Sequence, residues 1–136
     1  MKDLKSSEGY SINKPILNKF VFQGKYLILD LESEKIILIS DTKKFTYHVN
    51  ALYQFMIDNK LDIINVLGGG NFNRFEKSIS FINESKGFGQ PNESDLSDAL
   101  KNFDFDYGEN ITTEFRNRNN PEAGIYSLED IRDASF

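Results

Sequence analysis

The chain has no cysteine, no tryptophan, three prolines and a single histidine in 136 residues. Without thiols there is no disulfide, no thiol nucleophile and no thiolate metal site. One imidazole, His48, excludes a multi-histidine metal centre within one chain. No metal and no cofactor is expected. Long apolar runs are also missing, and the first residues, Met1 to Gly9, lack the apolar core of a secretory signal. Positive charge is in deficit, with a net charge of −5. A general nucleic-acid binder needs clustered Lys and Arg to displace counterions, so that class is set aside. A small phosphate ligand survives the deficit, because its binding depends on the local field and not on the total. The expectation is a cytoplasmic monomer with neither membrane nor nucleic acid as partner.

What remains is ample for a core. Apolar residues make up 39%, aromatics 13%, and twelve phenylalanines are present. Disorder is excluded for the bulk of the chain, and the length suits one domain. Residues 25–31 and 35–40 are rich in β-formers and flank a Glu32-Ser33-Glu34 turn, which predicts a hairpin. The second run is apolar almost without break, so it is expected to be covered on both faces. Val49, Leu52, Tyr53, Met56 and Ile57 recur at helical spacing over 49–59. A strand over 62–67 is expected to end at Gly68-Gly69-Gly70, with a polar link over 71–76 and a strand over 77–83. Asn92 and Asp95 open a second helix carrying Leu96, Ala99, Leu100 and Phe103. A last strand is read over 111–115. These elements predict an α/β (α+β) domain over 20–116, with a mixed β-sheet of five or six strands flanked by two main helices. A polar arm over 1–19 precedes it, as a loose segment or short edge strand. A tail over 117–136 follows, in which Ser127 and Asp130 can cap a short helix.

Few residues are candidates for chemistry. Gly68–Gly70 is no Walker loop, since no Gly-Lys-Ser/Thr follows, and Asn73 stands where a dinucleotide fingerprint needs its third glycine. The run can form a tight turn or a nest of backbone N–H groups for an anion. Asp104 and Asp106 alternate as in a calcium loop, but the glycine falls one position early and Phe115 replaces the bidentate glutamate. A solvated turn fits that segment better. Phe20, Phe22, Phe45, Phe55, Phe72, Phe75, Phe81 and Phe103 are expected in the core. His48 is compatible with a satisfied structural residue. It is also compatible with a general base, since it follows two lysines just ahead of a helix.

Leu67-Gly-Gly-Gly70, then Lys77-x-Ile79, then Ser85-Lys-Gly-Phe-Gly89 and Leu100-Lys101, in that order, resemble the protein histidine phosphatase (janus/ocnus-like) family. Tyr47-His48, opening a helix ahead of the glycines, and Lys25-Tyr-Leu-Ile28 fit the same pattern, which spans roughly residues 20–115. The resemblance implies a metal-independent phosphohydrolase that takes a phosphorylated protein or a small-molecule phosphoramidate. His48 corresponds to the general base that activates water against a P–N bond. Lys25, Gly69, Gly70, Asn71, Ser85, Lys86 and Gly87 correspond to the groups that hold the phosphate. Two positions depart from the family: Asn71 and Ser40 stand where arginines are usual. The alternative on the same scaffold is a binding module for a phosphorylated small molecule or peptide, without turnover.

Overall fold

The computed structural model describes residues 4–16, 21–104, 110–114 and 123–134. Among these, seven strands form one open sheet with three helices packed on it. The strands are β1 (Tyr10–Ile12), β2 (Val21–Leu31), β3 (Glu34–Asp41), β4 (Ile63–Phe75), β5 (Ser78–Ile82), β6 (Asn110–Thr113) and β7 (Gly124–Ser127). The helices are α1 (His48–Asp58), α2 (Glu93–Leu100) and α3 (Leu128–Arg132). The order across the sheet is β1-β3-β2-β4-β5-β6, with β7 paired to the first half of β4. All pairings are antiparallel except β5 with β6. The expected mixed sheet with two main helices is the observed architecture.

The hairpin between β2 and β3 explains the unbroken apolar run. Successive side chains on a strand point to opposite faces. Ile36 and Leu38 accordingly join Leu27, Leu29, Leu52, Phe55 and Met56 in a core beneath α1. Ile37 and Ile39 face the other way, into a core with Ile28, Phe72, Phe81, Leu96 and Phe103 beneath α2. Both cores are almost fully closed to solvent. The terminal segments contribute as well: β1 pairs with β3, and Ile131 of α3 is buried against the α1 side. The cap expected for α3 is present, with the Asp130 N–H donating to Ser127 Oγ at 3.1 Å and the Ser127 N–H to Asp130 Oδ2 at 3.0 Å.

The strand expected to stop at the glycines does not stop. β4 runs thirteen residues, through Gly68–Gly70 and on through the segment read as a polar link. Its pairing with β2 slips between Ile28 and Leu29, which face Gly68 and Val66, so Leu67 is the extra residue of a bulge. Gly68, at φ +132°, takes the backbone strain of that bulge. Glycine here serves close approach: a Cβ on Gly68 would lie 2.6 Å from the Pro91 nitrogen. Polarity misled the reading because Asn71 and Asn73 alternate with the buried Phe72 and Arg74, which is strand periodicity. Phe75 is a second correction, exposed at the end of β4. Phe20 and Phe115 lie outside the described residues, as does the middle of the calcium-like segment. No helix among the described residues is long and apolar enough to cross a membrane.

Candidate functional site

Lys25 lies near the start of β2, with Ser40 of β3 and Asn71 of β4 as its direct cross-strand neighbours. By alternation it shares a face with Leu27 and Leu29, the face that α1 covers. One pair further on, Gln23 faces Asn73. Gln23, Lys25, Asn71 and Asn73 thus form a polar square on the α1 side of the sheet. With Gly24 and Thr42 they line a depression of about 260 Å³.

His48 is the first residue of α1, and its ring reaches back onto this part of the sheet. Nε2 lies 2.9 Å from the carbonyl oxygen of Gly70, in a setting where His48 is 8% exposed. A carbonyl only accepts, so Nε2 carries the proton and donates. A neutral imidazole that donates from Nε2 keeps its lone pair on Nδ1. Burial lowers the pKa of His48 from 6.5 to about 4. The Gly70 and Tyr26 carbonyls oppose that shift and the Lys25 charge adds to it. Between pH 6.5 and 4 the unfolded chain therefore binds a proton that the folded chain does not. Stability rises with pH across this window, and at pH 7 the group contributes about 3 kcal/mol that is lost by pH 4.

The helix end adds donors. Asn50 Oδ1 accepts from the Tyr47 N–H at 3.0 Å, and the first turn of α1 carries no acidic side chain. The backbone N–H groups of His48 and Val49 have no acceptor among the described residues. They form the positive end of the helix dipole.

The second glycine-rich segment folds along the same stretch of β4. The Ser85 N–H donates to the Gly69 carbonyl at 3.0 Å, and the Gly69 N–H donates to the Gly89 carbonyl at 2.8 Å. Within the loop, the Gly89 N–H donates to the Ser85 carbonyl and the Phe88 N–H to Ser85 Oγ. Phe88 plugs the loop into the α1-side core. This bonding changes what two of the expected phosphate holders do. The Gly69 amide is committed to Gly89, and the contact that Gly70 supplies is its carbonyl, to His48. The Lys86 and Gly87 amides have no acceptor among the described residues, whereas Ser85 is 3% exposed.

The geometry thus gathers His48, Lys25, Gly70 and Asn71 directly, and ties Ser85–Gly87 to them through Gly69. Gln23, Thr42 and Asn73 were missed from sequence, and Gln23-x-Lys25 with Asn71-x-Asn73 was the signal available. It required reading 71–75 as strand. Among the described residues no group of three or more His, Asp or Glu side chains is placed to hold a metal ion. No protein-family model matches the chain, and no curated protein matches it. Similarity to the protein histidine phosphatases rests on the motif residues alone.

Proposed function

We propose that the protein is a metal-independent phosphohydrolase acting on phosphohistidine or a related P–N phosphoramidate, with His48 Nδ1 as the general base. The observation that carries this reading is the Nε2–H bond to the Gly70 carbonyl, which orients an uncharged imidazole beside Lys25. A phosphoryl group set between Lys25 and the first amides of α1 meets one ammonium and two backbone donors. Such donors stabilise the charge of a transferring phosphoryl group without a metal. A base with a low pKa is weak but is unprotonated throughout the neutral range. The loose transition state and the labile P–N bond lower the demand on that base without removing it.

Ser40 and Asn71 flank Lys25 on either side, at the two positions where the resembling family has arginine. Asn71 offers the phosphate a neutral donor in place of a bidentate cation, whereas the Ser40 hydroxyl is buried and donates to the Lys25 carbonyl. Lys25 becomes the dominant cationic contact. With phosphohistidine peptide as substrate, Lys25→Met is expected to raise KM ten- to a hundred-fold, the worth of one charge-assisted hydrogen bond, and to leave thermal stability unchanged. Phosphate release no faster than the uncatalysed rate in the wild-type protein, or a KM untouched by Lys25→Met, contradicts the reading.

A second reading is favoured by the lining of the depression, which includes Lys25 and Asn71 but not His48. On it the protein binds a phosphorylated peptide or small molecule without turnover. Calorimetry separates the two: binding of a phosphate ligand that survives His48→Gln, with no product formed by either protein, supports the binding module.

A further inference from the structure

A second hollow lies at the other end of the sheet. It occupies about 720 Å³ where β2 turns into β3 and where β4 begins beside β7. Asp30 and Lys25 are five residues apart on β2, which sets this groove roughly 16 Å from the His48 site. Its apolar lining includes Leu31, Ile63, Ile64 and Ile125, of which Ile64 is buried. Ile63 is 64% and Ile125 72% exposed, the two largest exposures among the aliphatic side chains at this end. They are diagonal neighbours on one face, since Ile63 pairs with Ser127 and Asn65 with Ile125.

The rim is acidic. Asp30, Glu32 and Glu34 line the groove, and none forms a salt bridge among the described residues. Lys35 is the cross-strand partner of Asp30 and could neutralise it. Its ammonium is instead committed to Asp95 at 3.1 Å and Asp98 at 3.0 Å, beneath α2. Among the described residues, three carboxylates without a salt-bridged cation thus share the lining of the groove with two large exposed aliphatic side chains.

We propose that this groove docks a peptide segment carrying an apolar side chain between basic ones. The isoleucines supply burial for the apolar residue, and the rim supplies the partner charge for the basic ones. Nucleic acid and anionic lipid are repelled by the same rim. A second copy of this chain, paired face to face, would set the three carboxylates against themselves. The groove is independent of the phosphohydrolase reading, and it fits that reading as a place where a protein substrate is held away from the reacting group.

The test uses the full chain and a blocked hexapeptide, Lys-Lys-Ile-Leu-Lys-Lys, with Glu-Glu-Ile-Leu-Glu-Glu as control. Calorimetry and amide shift mapping are expected to show binding of the first peptide only, with shifts centred on Asp30, Ile63 and Ile125. The double variant Glu32→Gln/Glu34→Gln, whose changes lie at the turn between β2 and β3, should weaken binding about tenfold, and near-molar salt should do the same. Ile125→Ser should weaken it comparably with no effect of salt on the loss. Equal binding of the acidic peptide, shifts centred on Lys25 and Asn71, or no binding up to millimolar peptide overturns the proposal. So does a dimer of the free protein that Ile125→Ser dissociates.

Discussion

His48→Gln is expected to lower kcat for phosphohistidine hydrolysis by roughly 10²-fold, the lower end of what a positioned general base contributes, and to leave KM close to the wild-type value. Glutamine is chosen because its side-chain amide can still donate to the Gly70 carbonyl, the contact that His48 makes through Nε2. The variant keeps the sheet-to-helix tie and loses the lone pair. An alanine at this buried position would confound the result with a cavity. Lys25→Met is expected to show the reverse split, with KM raised and kcat less affected. The two variants together distinguish a base from a phosphate anchor. A His48→Gln protein that turns over as fast as wild type removes His48 from the chemistry and returns it to a structural role.

Gly69→Ala destabilises the fold by about 3 kcal/mol, at the upper end of what overpacking a close contact costs, and lowers Tm by roughly 10 °C for a domain of this size. A Cβ on Gly69 would stand 2.3 Å from the Tyr26 carbonyl oxygen and 2.7 Å from Leu27 Cδ2. The first of these is backbone of the neighbouring strand, so no side-chain rotation relieves it. To admit the methyl group β2 and β4 must part, and the pairs that place Lys25 beside Asn71 part with them. Gly124→Ala is the control. It sits at φ +151° with nothing within 4 Å of the added carbon, so it meets strain but no clash. Its expected cost is about 1 kcal/mol. Equal losses for the two variants, measured by thermal or urea unfolding, would mean that Gly69 is not the tight crossing it is taken to be.

The fold class was legible because its signals are local and strong. The β2–β3 hairpin follows from two β-rich runs around a short turn, and its burial on both faces follows from the absence of alternation. The α1 stripe and the Ser127–Asp130 cap are likewise written in residue spacing. What was not legible needed partners distant in sequence. Gly68–Gly70 was read as a strand end because glycine and asparagine are weak strand formers on their own. In the folded chain these glycines are demanded by Tyr26, Ile82 and Pro91, none of which is adjacent to them. The three-residue β1 is the short edge strand that the N-terminal arm allowed, whereas the four-residue β7 was not foreseen and exists because β4 offers it an edge. At the site, His48 and Lys25 were identifiable by residue type and order. The committed amide of Gly69 and the carbonyl role of Gly70 were not, since a sequence does not say which backbone groups are already bonded.

The state of the His48 imidazole is read most directly by a nitrogen-15 NMR titration of the wild-type protein. The arrangement predicts a neutral ring protonated on Nε2 at pH 7, taking up its second proton only near pH 4. A ring that is protonated on Nδ1 at neutral pH, or that titrates near the ordinary value of 6.5, would contradict it.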